Sequence, residues 1–250
     1  MIKDPKDALV ICFGLGQTFK SALTHGVKTE VVEIVPSVVK AYKKFDAESL
    51  ALSDRNGRVI VNDGRNQVLL SKRIYDVIML DPSPPIYAAG TVNLYTREFF
   101  QLCKERLKPG GIMCLWVPKC RVAEYKLIVK SFSSVFDTTI WSGFQVEGTY
   151  VLGTVEPLKI DSAVLEKNLK KPEVVSDLAE YSGFKISAEI VKRHFFIKQD
   201  KVLEYTAYTP LMTDDFPVIE YPLLKWRDSP FYTQDMYFPE NRQDVNRVIH

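Results

Sequence analysis

Short apolar runs alternate with amphipathic segments over residues 8–155 of the chain. Most of these runs are apolar at nearly every position, which is typical of parallel strands that are covered on both faces. The predicted strands are residues 8–13, the run that ends at Val35, and residues 58–62, 75–80 and 112–117. Because strands and helices alternate, the pattern predicts a doubly wound, mostly parallel, Rossmann-like α/β sheet with right-handed crossovers.

The segments between the strands have the spacing of amphipathic helices. Their predicted starts are the turn at Gly16, Pro36, the N-cap residue Thr96, and Tyr125. Residues 138–142 and 150–155 are expected to form a terminal antiparallel strand pair.

Beyond Lys159 the pattern changes. Residues 161–182 are charged and helical in spacing, a short helix is predicted over residues 189–196, and the tail from Thr209 is rich in proline and aromatic residues. We expect such a tail to lie over the sheet domain in an extended conformation and not to form a core of its own. We therefore expect a Rossmann-like domain over residues 1–157 and a helical and extended appendage over residues 158–250, packed on it.

Glycines or acidic residues follow each of the first four predicted strands. Gly14 and Gly16 form a turn after the first strand, Glu33 lies near the end of the second, and Asp63 and Asp81 follow the third and fourth. The carboxyl ends of parallel strands share one edge of the sheet, where such folds bind ligands. Glu33 follows Gly16 by 17 positions, close to the spacing at which an acidic residue binds ribose hydroxyls. The sequence therefore predicts a nucleoside site.

The turn sequence narrows the class of ligand. It is G-L-G-Q-T rather than G-x-G-x-x-G, which favours an adenosine ligand without a phosphate bridge. Asp63, with Gly64 behind it, can accept a hydrogen bond from an adenine amine, and Asp81 can hold or deprotonate an amine. Each feature also has a structural explanation. The glycines can form a tight strand-to-helix turn, Asp63 an Asp-Gly turn that ends a strand, and Asp81 the cap of a turn.

Four further residues are weaker candidates for substrate contact. Tyr87 and Tyr95 flank the loop after the fourth strand and can stack on a purine or orient a substrate. Asp214 and Asp215 form an acidic turn in the tail that can attract a polyamine-like cation. Packing of a lid by the tyrosines and capping of the turn by the aspartates are the structural alternatives.

The composition of the chain argues against several kinds of partner and site. The chain has 250 residues, 46% hydrophobic and 26% charged, which is ordinary for a globular protein. A net charge of +2 gives no reason to expect nucleic acid as a partner. The four cysteines form no C-x-x-C pair, so we expect reduced core residues and no metal site. Since no membrane-spanning run and no signal peptide are found, a cytoplasmic location is expected.

Five segments, in the same order, resemble the spermidine/spermine synthase (polyamine aminopropyltransferase) family. They are ALVICFGLG, VVEIVP, VIVNDGR, YDVIMLDPSPP and LKPGGIM. The resemblance implies a class I methyltransferase-like fold. It also implies an S-adenosylmethionine-type ligand, which is S-adenosylmethionine, its decarboxylated form or methylthioadenosine, and transfer of an aminopropyl group to an amine without a metal.

The resemblance also implies a role for each candidate at the strand ends. Gly14, Leu15 and Gly16 line the aminopropyl or methionine part of the ligand, Glu33 binds the ribose, Asp63 and Gly64 contact the adenine, and Asp81 faces the reacting amine.

Two positions differ from the family's pattern. Leu15 stands where the family usually has an acidic residue that grips the donor's amino end, and Pro84 replaces the second aspartate of an Asp-Ser-x-Asp loop. The family's N-terminal β-hairpin domain has no counterpart ahead of Ala8. Two missing carboxylates are expected to weaken binding of a dicationic amine by roughly a few kcal/mol, which argues against spermidine synthesis itself.

Two other functions stay open from the sequence. The loop that starts at Asp81 loosely resembles the Asp-Pro-Pro-aromatic motif of amino-methylating enzymes, which predicts an S-adenosylmethionine-dependent N-methyltransferase. The segments AAGTVNLYTREFF and TDDFPVIEY resemble a synthase-like subgroup that is often fused to membrane segments. That likeness predicts a catalytically silent nucleoside-binding domain at the cytoplasmic face of a membrane. The expected partners are a small amine, a second copy in a homodimer, or a membrane protein within a longer chain.

Overall fold

The computed structural model describes residues 4–45, 56–82, 86, 88, 90–141, 148–182, 191 and 196–220. Its strands are β1 (Asp7–Ile11), β2 (Lys28–Glu33), β3 (Gly57–Val61), β4 (Tyr75–Leu80), β5 (Leu107–Pro118), β6 (Asp137–Trp141), β7 (Gly148–Thr154) and β8 (Phe196–Ile197). They form one sheet in the order β3-β2-β1-β4-β5-β7-β6-β8. Strands β1 to β5 pair in parallel, and the pairs β5–β7, β7–β6 and β6–β8 are antiparallel. The predicted mostly parallel sheet with a terminal antiparallel pair is confirmed.

The α-helices of the described residues are α1 (Gln17–Thr24), α2 (Pro36–Phe45), α3 (Gly64–Leu70), α4 (Arg97–Glu105), α5 (Val122–Ser133), α6 (Ser162–Leu169), α7 (Pro172–Ser182) and α8 (Gln199–Tyr205). Short 3₁₀ turns occur at Val92–Leu94 and Val218–Glu220. Within these residues, none of the helices combines the length and the apolar character that crossing a membrane requires.

Several predicted strand boundaries differ from the structure; β2, for example, ends at Glu33 and not at Val35. Two of the differences have a local backbone reason. Strand β1 ends at Ile11 and not at residue 13, because Cys12 has a φ of 73° and turns the chain out of the sheet. Strand β5 starts at Leu107 and not at residue 112, so it contains the pair Gly110 and Gly111. Its register against β4 shifts between Tyr75 and Val77, and Gly110 has a φ of 76° in the facing segment.

The sequence pattern also missed or merged several helices. Helices α3 and α8 were not predicted, and the single helical stretch over residues 161–182 is two helices, α6 and α7. The helix predicted over 189–196 lies almost entirely outside the described residues, and its last residue belongs to β8. The proposed boundary between residues 157 and 158 stays a prediction.

The core has one layer on each face of the sheet. The larger cluster contains Leu9, Ile78 and Leu80 with side chains of α4 and α5, and the smaller one contains Val10 and Val31 with side chains of α1 and α2. From β1 the chain moves outward to β2 and β3 and then returns to β4 on the other side of β1. This reversal opens a crevice beyond the carboxyl ends of β1 and β4, the usual ligand position in such sheets.

Candidate functional site

Glu33 ties together the loops that follow β1 and β2. Its Oε2 accepts a hydrogen bond from the backbone N–H of Phe13 at 3.1 Å, and its Oε1 accepts one from Val35 at 2.8 Å. Glu33 is only 8% exposed. Each carboxylate oxygen can accept further hydrogen bonds, since each has more than one lone pair. Glu33 is therefore held in place and still able to bind a ligand.

The glycine turn after β1 is built for close approach. Gly16 is the N-cap of α1 with a φ of 79°, and a Cβ at this position would overlap the ring of Tyr42. Only glycine meets both conditions without strain. Gly14 also has a positive φ, of 53°, and Leu15 between the two glycines is 81% exposed. The apolar tip of the turn thus brings no charge to the crevice.

Asp63 begins helix α3 instead of simply ending β3. Its Oδ1 accepts a hydrogen bond from the backbone N–H of Asn66 at 2.8 Å, as an N-cap residue does. A Cβ on Gly64 would meet the Ile11 side chain, so this turn packs directly on the end of β1. The second carboxylate oxygen has no hydrogen bond to the described residues, and it can serve a ligand.

Asp81 follows β4 and faces helix α1. Its Oδ2 accepts a hydrogen bond from the Thr18 hydroxyl at 2.7 Å, and its backbone N–H donates to Ile11 at 3.1 Å. Burial raises the pKa of the Asp81 carboxyl, and the hydrogen bond from Thr18 offsets part of that rise. A carboxylate in this environment is a better proton acceptor than one in water.

Two of the three carboxylates, those of Glu33 and Asp63, line one cavity, and the charge of the third, Asp81, acts on Cys12 in the same lining. A cavity of about 140 Å³ is lined by Ile11, Cys12, Val32, Glu33, Ile34, Asp63, Gly64, Gly90, Thr91 and Leu94. Asp81 lies outside this lining. Burial, followed by the negative charges of Glu33, Asp81 and Asp63, raises the pKa of the Cys12 thiol to about 12. No lysine or arginine of the described residues forms an ion pair with any of the three acids. The site is thus an anionic pocket that favours a ligand with positive charge and hydrogen-bond donors.

The tyrosine predictions have different outcomes. Tyr87 lies outside the described residues. Tyr95 is 0% exposed and belongs to the main core, so its ring does not line the cavity. Its hydroxyl is buried without a hydrogen-bond partner among the described residues. Burial, with smaller contributions from Cys12, Cys120 and Asp81, keeps its pKa well above the usual value. Substrate contact by either tyrosine stays a prediction.

The acidic turn of the tail is separate from the cavity. Asp214 forms an ion pair with Arg65 and accepts a hydrogen bond from the Thr96 hydroxyl, and Asp215 is exposed. Neither residue is among those that line the cavity. Amine binding by these two residues stays a prediction, and the carboxylate of Asp214 is already engaged within the protein.

Sequence reasoning missed several residues of the site. Cys12 and Thr18 were not named, although each is next to a glycine turn or a strand end. A second part of the lining, which we call the second wall, is formed by Gly90, Thr91 and Leu94, which come from the segment before α4. Loop residues of this kind have no periodic pattern, so only a search for polar groups near strand ends would have suggested Cys12 and Thr18.

Known proteins and protein families are similar to this chain in sequence. Residues 1–140 match the family model described as spermine/spermidine synthase domain. A polyamine aminopropyltransferase of Thermotoga petrophila is 28% identical over 181 residues, which are 67% of this chain and 61% of the relative. Putrescine N-methyltransferase 3 of Nicotiana tabacum is 28% identical over 180 residues, which are 68% of this chain and 46% of the relative. The aligned region thus spans about half to three-fifths of these relatives.

The fold has a counterpart among solved structures. A spermidine synthase in complex with the transition-state analogue AdoDATO superimposes with a TM-score of 0.62 at 24% identity, covering 82% of this chain and 70% of that one. At this level of identity the likeness concerns the fold. Together with the match of more than half of the chain to the family model, it leads to one conclusion: the chain belongs to the spermine/spermidine synthase family.

Proposed function

We propose that the chain is a transferase that binds an S-adenosylmethionine-type nucleoside and transfers an aminopropyl group to a small amine. The observation that carries the proposal is the pair of carboxylates, Glu33 and Asp63, that line one small cavity and form no ion pair with a cation of the described residues. The relatives named for aminopropyl transfer and for N-methylation of putrescine both support an amine as the acceptor.

The cavity suits the adenosine end of such a ligand. Its volume of about 140 Å³ is below the roughly 300–1,000 Å³ of a pocket that encloses a whole ligand. It therefore holds one end of the nucleoside, and the remainder extends along the open glycine turn. Glu33 offers two oxygens to the two ribose hydroxyls, and Asp63 offers its uncapped oxygen to the adenine amine.

Asp81 would then act on the amine. The amine nitrogen attacks the methylene carbon next to the sulfonium, and a C–N bond forms. The C–S bond breaks, its electron pair stays on sulfur, and methylthioadenosine leaves. The new ammonium group loses its extra proton to Asp81, whose raised pKa makes it suited to that role. Since protonated Asp81 cannot accept a proton, the rate should fall as the pH drops through its raised pKa.

Calorimetry is the first test. Decarboxylated S-adenosylmethionine, S-adenosylmethionine and methylthioadenosine are each titrated into the wild-type chain and into Glu33→Ala. Because Leu15 gives the turn no carboxylate for the donor's amino end, we expect methylthioadenosine to bind about as tightly as the decarboxylated donor. If none of the three binds, or if Glu33→Ala binds as the wild type does, the nucleoside site is refuted.

Turnover is the second test. Putrescine and each sulfonium donor are supplied to the wild type, to Asp81→Asn and to the control Asp76→Asn, which changes the other end of β4. We expect Asp81→Asn to lower kcat by about 10²–10⁴-fold, the usual share of a general base, with little change in nucleoside affinity. Equal rates in the wild type and Asp81→Asn would remove Asp81 from the mechanism. Methylated putrescine as the only product would replace aminopropyl transfer with methyl transfer.

A further inference from the structure

The acidic turn of the tail is firmly attached to the sheet domain. Thr213 and Phe216 form an antiparallel bridge that closes the turn. Just before it, Met212 is fully buried in the main core, its carbonyl accepts a hydrogen bond from the Arg97 backbone N–H at 3.0 Å, and its own N–H donates to Ser131 at 2.9 Å. The position of the turn is thus fixed by the core and by the first turn of α4.

Asp214 uses that position to make three polar contacts. Its Oδ2 accepts a hydrogen bond from Arg65 Nη2 at 2.5 Å, and its Oδ1 accepts one from the Thr96 hydroxyl at 2.6 Å. Its backbone N–H donates to Glu98 at 3.0 Å. The Arg65 side chain is 22% exposed and the Asp214 side chain 39% exposed, so solvent screens the charge pair in part, and its contribution comes from fixing the geometry of the two groups.

Arg65 connects the two walls of the cavity. It directly follows Asp63 and Gly64, which form one wall, and its Nη1 donates to the Asn93 carbonyl at 2.9 Å and to Thr96 at 3.1 Å. In the sequence, Asn93 lies between Thr91 and Leu94, two residues of the second wall. Asp214, in the tail, contacts the other terminal nitrogen of the same guanidinium group. The planar, forked shape of a guanidinium group allows its nitrogens to bind two partners at once.

We propose that Asp214 is a positioning residue for the nucleoside cavity. Through Arg65 and Thr96 it sets the distance between the wall that carries Asp63 and the wall that carries Thr91 and Leu94. The proposal deepens the proposed function and rests on it, since the cavity must bind a nucleoside for this distance to matter. It assigns the acidic turn a role different from attraction of an amine.

Nucleoside affinity separates these two roles. Methylthioadenosine is titrated into the full chain and into Asp214→Asn, Asp215→Asn and the control Asp200→Asn, an exposed aspartate in the first turn of α8. We expect Kd to rise about 5- to 10-fold in Asp214→Asn, the usual size of an effect from a residue that does not touch the ligand, and to stay unchanged in the other two. In turnover assays, Asp214→Asn should raise the KM for the nucleoside and leave kcat at saturating nucleoside within about twofold.

Other outcomes decide against the proposal. If Asp214→Asn and Asp215→Asn both raise the KM for putrescine and leave the nucleoside Kd unchanged, the turn attracts the amine and the positioning role is refuted. If Asp214→Asn fails to fold, Arg65→Lys takes its place, because a lysine keeps the charge but cannot make the same forked contacts. An unchanged Kd in folded Arg65→Lys also refutes the proposal. A wild-type chain that binds no nucleoside refutes the proposed function and the positioning role together, whereas a change limited to the variants concerns the positioning role alone.

Discussion

Acidic residues at the two ends of strand β2 have opposite surroundings. Near the amino end, Glu30 accepts hydrogen bonds from Arg73 at 2.7 Å, from Arg58 at 3.2 Å and from the Tyr75 hydroxyl at 2.7 Å. At the carboxyl end, the hydrogen bonds that Glu33 accepts from described residues all come from backbone N–H groups. Both residues are buried, but only the first has its charge neutralised within the described part of the chain.

Strand β4 repeats this contrast. Asp76, near its amino end, accepts hydrogen bonds from Lys108 and from two backbone N–H groups. Burial alone would raise the pKa of Asp76, but these hydrogen bonds and the Lys108 charge outweigh burial and lower it. Asp81, directly after the strand, has the Thr18 hydroxyl as its partner and a raised pKa.

The difference separates residues that stabilise the fold from residues that are available to a ligand. A buried acid that is paired with arginine or lysine completes a contact that exists without any ligand. A buried acid without a cation is costly until a ligand supplies donors or positive charge. Substitutions at the two edges of the sheet should therefore change different properties, and three matched pairs test this.

The largest effect is expected at the glycines. Gly16 at the carboxyl edge and Gly110 in β5 both have a strongly positive φ, of 79° and 76°. Alanine at either position should cost about 1–2 kcal/mol of unfolding free energy from the backbone alone. At Gly16 the overlap with Tyr42 adds roughly 1–3 kcal/mol. Chemical denaturation and calorimetry should show a larger loss of stability in Gly16→Ala, and a loss of nucleoside affinity there only. Equal losses of stability would contradict the contact with Tyr42.

The glutamates of β2 come next. Glu33→Gln should weaken nucleoside binding by about 30- to 100-fold, because hydrogen bonds to a charged group are worth about 1.5–3 kcal/mol. Glu30→Gln should leave affinity unchanged and lower the unfolding free energy by about 2–3 kcal/mol, because its arginine and tyrosine contacts are weakened. Binding is measured by calorimetry and stability by urea titration. Weaker binding in folded Glu30→Gln would show that the two edges are not independent.

The acids at the carboxyl edge of the sheet could be predicted from the sequence, but the paired acids at the amino edge could not. Glu33 interrupts a short apolar run near its end, and Asp63 and Asp81 directly follow two others, so all three acids were conspicuous, and their common edge follows from parallel pairing. Asp76 and Glu30 lie within predicted strands, and nothing local shows which lysine or arginine will reach them.

The remaining misses have the same physical origin. Arg65 and Asp214 are 149 positions apart, and no pattern of local spacing connects them. The segment that forms α3 is only seven residues long, so its helical period is too short to recognise. Burial of Tyr95 depends on how α4 and α5 pack on the sheet, which a propensity argument does not contain.

The smallest effect is expected from aspartate-to-asparagine substitutions at the two ends of β4. The change in unfolding free energy should have opposite signs at Asp76 and Asp81. The pKa of Asp76 is lowered from 3.8 by folding, so its stabilising effect is complete above pH 3.8 and is lost as the pH falls through the native pKa. The pKa of Asp81 is raised from 3.8, so the native state binds more protons than the unfolded state just above that pH. Its stabilising effect is therefore complete below pH 3.8 and is lost as the pH rises through the native pKa, which leaves the ionised group as a cost at pH 7.

At pH 7, Asp76→Asn should therefore lower the unfolding free energy by about 1–2 kcal/mol. Asp81→Asn should raise it by about 1 kcal/mol, although the same substitution lowers kcat. As the pH is lowered, the difference for Asp81→Asn should shrink first, because the raised pKa leaves native Asp81 largely protonated below pH 3.8. The difference for Asp76→Asn should shrink only as the pH falls through the lowered native pKa of Asp76. Urea titrations of the two variants and the wild type at pH 3 and pH 7 measure these differences directly. A loss of stability in Asp81→Asn at pH 7 as large as that in Asp76→Asn would mean that Asp81 is a structural acid. The contrast between the two edges of the sheet would then hold for β2 but not for β4. An acid that stabilises the fold without a ligand is already engaged within the protein, whereas one that costs stability is available to a ligand.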